Sequence, residues 1–273
     1  MFRTMSMIRL LALASPVLLL ASPAFSASSE WYQVEGGAIR FVTAGEPGPD
    51  GLVRGALQID LAPGWKTYWL DPGSSGVPPQ VSVDVQDKNA EVEVGFPVPQ
   101  RFDDGYAQWA GYDEPVALAL TFRLPEGVAH AQDVTAHTFL GVCETICIPV
   151  QAELTLSLGD NADAAEEAAI VDAAFAALPA PAAENLSVDL VSTDDKAIVI
   201  DAQLPEGVSA LDLFVAGNEN LSLEAPELVS AGGGTSPRFR IPVAFRTPGA
   251  EPERLRYTLQ TSAGAFSGEL SLR

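Results

Sequence analysis

The chain has 273 residues, 47% of them hydrophobic, with 21 prolines and 23 glycines spread along it and a formal net charge of −21. That charge, with no clustered Lys or Arg, excludes nucleic acid as a partner and argues against anionic membrane surfaces. The length suits one large or two medium domains.

The first segment reads as an export signal, residues 1–27. Arg3 and Arg9 give a positive start, Leu10 to Ala21 is apolar, and Ala24-Phe25-Ser26-Ala27 offers small residues for cleavage. The apolar run is shorter than the roughly 20 residues a spanning helix needs, and no later stretch approaches that length. The expectation is a soluble exported chain beginning near Ser28, with no membrane insertion. Loss of Arg3 and Arg9 takes the net charge to about −23. Export puts the two cysteines where disulfides form and persist.

Period-2 alternation dominates the rest of the chain. Val53, Leu57, Ile59 and Leu61 share one face, with Arg54, Gln58 and Asp60 on the other. The pattern returns at Val116, Leu118, Leu120, Phe122 and Leu124, and at Val150, Ala152, Leu154, Leu156 and Leu158. Later it recurs at Phe239, Ile241, Val243 and Phe245, then at Leu255, Tyr257 and Leu259. Such runs are strands buried on one face, and many of them separated by Pro and Gly turns predict β-sandwiches.

One stretch departs from this. Ala162 to Leu178 is Ala-rich and sets Ile170, Val171, Ala174, Phe175 and Leu178 along one helical stripe. Asp160 or Asn161 caps its start and Pro179 ends it. Pro179 to Ala183 reads as a stiff linker. The predicted architecture is therefore mainly β: a sandwich over residues 28–159, a helix and linker over 160–183, and a second sandwich over 184–273. Leu124-Pro-Glu-Gly-Val128 recurs as Leu204-Pro-Glu-Gly-Val208, which shared turn chemistry explains as well as duplication does.

The residues that carry chemistry are few. Cys143-Glu-Thr-Ile-Cys147 lies between two alternating runs, so it fits a hairpin loop with the cysteines facing each other across its base. A bridge closing so small a loop contributes roughly 2 kcal/mol in the loop-entropy model, little for a domain with its own core. Thiol–disulfide exchange is the better use of the pair, with a passive staple or Cu(I) binding as the other readings. Supporting metal ligands are thin. His130 and His137 are the only histidines, and all three methionines fall inside the export segment. A zinc site wants four ligands or an open set of three, and no cofactor is expected. Glu144 adjoins Cys143, and no Lys or Arg lies within the loop. Both features oppose the thiolate and favour an electron donor over an oxidant.

Aromatic residues gather in two places. Trp65 and Trp69 are expected to fill the end of a sandwich core. Phe102, Tyr106, Trp109 and Tyr112 sit among Asp103, Asp104, Gly105 and Gly111, an exposed loop that could lie over the cysteines or meet a partner. No Ser-His-Asp set, phosphate loop or paired-carboxylate pattern stands out. Asn185-Leu-Ser187 and Asn220-Leu-Ser222 match glycosylation acceptors but are too short to weigh.

Several motifs in order resemble a known family. They are Trp65-Lys-Thr-Tyr68-Trp69, Asp71-Pro-Gly-Ser-Ser-Gly-Val-Pro-Pro79, Phe96-Pro-Val-Pro99, Gly111-Tyr112 and Cys143-x-x-x-Cys147-Ile-Pro149. Together they resemble the N-terminal periplasmic domain of DsbD-type thiol–disulfide interchange proteins, in the branch of the suppressor-of-copper-sensitivity B-like proteins. The resemblance covers roughly residues 31 to 158 and, less specifically, the helix and second β region. It implies immunoglobulin-like sandwiches, a redox pair at Cys143 and Cys147, and an aromatic cap for which Phe102 is the nearest candidate and Tyr106 the next. It also implies a membrane thiol reductase as electron donor and thioredoxin-like periplasmic proteins as acceptors. The family's membrane conduit and terminal Cys-x-x-Cys domain are absent from this sequence and are expected on other polypeptides. The cysteine spacing is tighter than in the best-known members. The alternatives are a copper-binding or copper-resistance factor using the same thiolates, and a non-catalytic interaction module with a structural disulfide.

Overall fold

The structure is a computed structural model. It describes residues 27–45, 47–48, 50–73, 76–103, 105, 108–125, 133–158, 165–230, 236–249 and 254–272. The export segment as far as residue 26, the capping Asp160 and Asn161, His130 and Tyr106 lie outside the described residues.

In the first half the strands are β1 (Tyr32–Val34), β2 (Gly37–Thr43), β3 (Leu52–Leu61), β4 (Lys66–Tyr68), β5 (Gln80–Val85) and β6 (Lys88–Ala90). They continue with β7 (Val92–Gly95), β8 (Gln100–Asp103), β9 (Gln108–Tyr112), β10 (Val116–Arg123), β11 (Asp133–Cys143) and β12 (Cys147–Ser157). One sheet has the order β1-β2-β3-β10-β7; the facing sheet runs β6-β5-β11-β4-β9-β8, with β12 also paired to β11. The alternating residues read from the sequence close the space between them. Ile39, Phe41, Leu57, Leu118 and Phe122 from one sheet meet Val83, Val134, Leu140, Val142 and Leu154 from the other. This is an immunoglobulin-like sandwich whose inner faces pack against each other.

Helix α1 (Ala165–Ala176) lies on the outer face of the first sheet. The sheet offers it small side chains, Ala56 and Ala119 beside Val42, and the helix answers with Val171 and Ala174. Ile170, Phe175 and Leu178 complete the stripe at its margin. Arg54 fixes the register, donating to Asp172 at 2.9 Å while its guanidinium lies 4.1 Å from the Phe175 ring centroid.

The second half contains β13 (Ala180–Pro181), β14 (Ser187–Thr193), β15 (Ala197–Gln203), β16 (Ala210–Ala216), β17 (Leu221–Leu223) and β18 (Glu227–Ser230). It ends with β19 (Arg238–Arg246), β20 (Arg254–Thr261) and β21 (Gly264–Ser271). The sheets run β13-β21-β20-β16 and β14-β15-β19-β17, with β18 beside β19. They enclose a second core of Ile198, Ile200, Leu213, Phe239, Ile241, Leu255, Leu259 and Phe266.

Three details differ from the sequence reading. The segment expected as a linker is docked, because Ala180 and Pro181 pair in parallel with Phe266 and Ser267. Phe245 is 56% exposed rather than inward. Ser222 pairs with Phe245 but Leu223 with Val243, so a bulge at Ala244 turns the following side chain to the other face. The sandwiches also share a wall. Leu213 and Val215 of β16 point into the second core, while Phe214 and Ala216 point into the first. The unbroken apolar run Leu213-Phe-Val-Ala216 is what burial on both faces demands.

Candidate functional site

The site grows from the register of one hairpin. Cys143 ends β11 and Cys147 begins β12, and the two are directly opposed as the last pair of the ladder. They form a disulfide with Cα atoms 4.1 Å apart. The turn Glu144-Thr-Ile146 is closed by the Glu144 amide donating to the Ile146 carbonyl at 3.2 Å.

The next strands extend the same face. Cys143 is also the register partner of Lys66 on β4, and Tyr68 follows two residues on, across from Gly111 of β9. Two residues back from Gly111 stands Trp109, paired with Phe102 on β8. Because side chains on a strand alternate and cross-strand partners share a face, these residues line up on the outer side of the sheet. Thr67, Val142 and Tyr112 take the inner side.

Aromatic contacts join this line. Phe102 and Trp109 stack at 4.3 Å between centroids, and Trp109 meets Tyr68 edge-on at 5.4 Å. The Lys66 ammonium lies 5.4 and 5.5 Å from the Phe102 and Trp109 centroids. Two glycines make room for the rings. A Cβ at Gly141 would stand 3.1 Å from Tyr68 Cε2, and one at Gly111 would stand 2.9 Å from Trp109 Cζ3. Tyr68 is therefore buried although it lies on the outer face, at 6% exposure.

The Tyr68 hydroxyl is 3.0 Å from Cys147 Sγ and 3.2 Å from Cys143 Sγ. Disulfide sulfurs carry no proton, so the hydroxyl is the donor. The two sulfurs are otherwise unlike. Cys143 is 8% exposed, whereas Cys147 is open to solvent beside Ile146, itself 71% exposed.

Each residue singled out from the sequence can now be placed. Cys143 and Cys147 come together as the hairpin required. Phe102 and Trp109 belong to the ring stack leading to the disulfide. Tyr112 is buried on the inner side, where its hydroxyl donates to the Pro97 carbonyl at 2.8 Å and burial pushes its phenol well above the usual tyrosine range. Tyr106 lies outside the described residues. Trp69 is in the core and Trp65 packs at its margin. Tyr68 was missed, although its place two residues from Lys66 in a short strand put it on whichever face Lys66 took. The charge around the pair also differs from the sequence expectation. Along the chain Glu144 is the near neighbour of Cys143, but across the sheet Lys66 faces it. His137 is remote from the cysteines along β11, 3.1 Å from Asp84 and 3.8 Å from Glu153. Among the described residues no group of three His, Cys, Asp or Glu is placed to hold a metal ion. No described helix is long and apolar enough to cross a membrane.

A solvent-accessible disulfide at the end of a hairpin, backed by a tyrosine on an immunoglobulin-like sandwich, defines a disulfide-bearing β-sandwich class. Residues 38–159 match the family described as "Thiol:disulfide interchange protein DsbD, N-terminal". Among solved structures, the N-terminal periplasmic domain of ScsB from Proteus mirabilis is similar, with a TM-score of 0.71 and 19% identity. The match covers 90% of this chain and 98% of that one, so the likeness of fold takes in both sandwiches. The C-terminal domain of the Streptococcus pyogenes antigen I/II-family protein AspA aligns over 91% of this chain and 99% of that one. Its TM-score of 0.22 and 9% identity are too low to bear on the fold. None of the curated proteins compared with the chain matches it.

Proposed function

We propose that the Cys143–Cys147 pair carries out thiol–disulfide exchange in the periplasm, relaying reducing equivalents with Cys147 as the sulfur that meets partners. The observation that carries this reading is the asymmetry of the pair: Cys147 is open to solvent, while Cys143 is buried under the Tyr68 hydroxyl. An incoming thiolate attacks Cys147 Sγ and forms a new S–S bond with it. The Cys143–Cys147 bond breaks, and its electron pair leaves on Cys143 Sγ. Tyr68 donates a hydrogen bond to that departing thiolate, and the Lys66 ammonium lies on the same face to balance its charge. A second thiol from the donor then releases the reduced protein. In the onward step the Cys147 thiolate attacks an oxidised partner, and Cys143 resolves the mixed disulfide.

On this reading residues 1–27 are a cleaved export segment, 28–159 the redox domain, 160–183 the helix and connector, and 184–273 a second domain. The electron donor is a membrane thiol reductase, and the acceptors are thioredoxin-like periplasmic proteins.

Single-cysteine variants test the assignment. Cys143→Ser should accumulate mixed disulfides through Cys147 in the native periplasm, seen on non-reducing gels and identified by mass spectrometry. Cys147→Ser should capture far less. If neither variant captures any protein and both keep the wild-type phenotype, the pair is a staple and the proposal fails.

A further inference from the structure

Arg101 and Phe102 are neighbours on β8, so their side chains leave the strand on opposite faces. Phe102 enters the ring stack on the disulfide side. Arg101 reaches the second sandwich. Its Nε and Nη2 donate to the two carboxylate oxygens of Asp212 at 2.9 Å each, and Nη2 also donates to the Leu213 carbonyl at 2.7 Å. Its guanidinium lies 4.7 Å from the Phe214 ring centroid. All three partners belong to β16, the wall shared by both cores. A second tie lies alongside. Asp71 follows closely on Tyr68 and accepts from the Gly217 amide at 3.0 Å, just beyond β16, while its other oxygen accepts from the Gly73 amide at 3.0 Å. Trp69 meets Phe214 edge-on at 5.9 Å.

Within its sheet the ribbon is held from one side, where β9 pairs with the three-residue β4, so its outer strand β8 relies on β9 and on the contacts to β16. Strand β8 has four residues and stands at the edge of its sheet, paired with the five-residue β9. An edge strand of four residues gains little from its own ladder, which makes the anchor on its other face count for more. A forked, partly shielded ion pair is among the stronger polar anchors available, unlike an exposed one.

We propose that the second sandwich sets the selectivity of the cysteine pair in the first. By clamping Arg101, β16 holds the Phe102–Trp109–Tyr68 stack in place over Cys143, which confines exchange to Cys147. Arg101 is thus a positioning residue, acting through the rings and not on the sulfurs. The inference rests on the exchange reading above and adds to it the part played by residues 210–217.

The test is limited alkylation of the full-length reduced protein with iodoacetamide, with the modified cysteine located by peptide mass spectrometry. In the wild type the Cys147 to Cys143 labelling ratio should be high. Arg101→Ala should lower that ratio about tenfold, the effect of losing one charge-assisted anchor from a local opening equilibrium. Asp212→Asn, nearly isosteric and the milder change, should move it the same way with a cooperative melt retained. Trp109→Ala, which removes a ring directly, calibrates the assay. If Trp109→Ala lowers the ratio while Arg101→Ala and Asp212→Asn leave it at the wild-type value, the clamp is wrong and the exchange reading stands. If the wild type labels both cysteines alike, the Cys147-first reading fails and the clamp with it.

Discussion

Strand β11 of the first sandwich buries Leu140 and Val142 on its inner side and carries Gly141 and Cys143 on its outer side. Strand β20 of the second buries Leu255, Tyr257 and Leu259 in the same alternation, but its outer side carries Arg254 and Arg256. Arg254 pairs with Glu269 across the sheet at 3.3 Å, an ordinary solvated contact. The inner faces obey one rule in both sandwiches, because a packed core asks only for apolar volume. The disulfide lies on an outer face, where Gly141 and Gly111 admit aromatic rings beside it, and the outer side of β20 carries no such arrangement.

The largest effects should show no difference between the sandwiches. Phe122 and Phe266 are both fully buried, at 0% and 1% exposure. Phe122→Ala and Phe266→Ala should each cost about 3–5 kcal/mol in denaturant unfolding. A near-zero cost for either would mean that its sandwich does not depend on its core as described. Next in size is the disulfide, which belongs to the first sandwich alone. Reducing it should lower stability by about 2 kcal/mol. Thermal melts with and without reductant measure this, and collapse of the fold on reduction would turn the pair into a structural staple.

A smaller change separates chemistry from packing. Tyr68→Phe keeps the ring and removes the hydroxyl shared by the two sulfurs. It should slow exchange with a small thiol about tenfold while changing stability by about 1 kcal/mol or less. Unchanged exchange rates would show that the hydroxyl only fills space.

The smallest effect belongs to the second sandwich. The Arg238 guanidinium donates to both oxygens of Asp201 at 2.7 Å and holds that carboxyl below its ordinary value. A depressed carboxyl contributes stability above its unfolded value and loses it as pH falls through the folded one. Solvent screening keeps the contribution slight. Asp201→Asn should therefore lower stability slightly at neutral pH and leave it unchanged at low pH, so that the acid limb of the stability–pH curve becomes a little flatter. An acid limb identical to that of the wild type would remove the ion pair from the account.

The sequence disclosed what depends on near neighbours. Alternation along β3, β10, β12 and β20 identified the inner faces, and Cys143 and Cys147, four positions apart, could meet only across a hairpin or within one helical turn. The stripe at Val171 and Ala174 named the helix face correctly. What stayed hidden depends on partners brought from elsewhere. Tyr68 reaches the sulfurs only because β4 pairs with the far end of β11, more than seventy residues on. Lys66 lay outside a charge argument that counted neighbours along the chain, and β4 brings it opposite Cys143. Arg101 carried no signal in the sequence, because its partner Asp212 stands in the second sandwich. Phe245 followed the alternation but lay beyond a bulge that no residue type announced.

The reduction potential of the Cys143–Cys147 pair tests the central claim most directly. The protein would be equilibrated in glutathione buffers of graded potential and the oxidised fraction counted after acid quenching and alkylation. A potential above about −300 mV is expected, because a working pair must pass electrons on and be reduced again. A value well below that, in the range of structural disulfides, would contradict it.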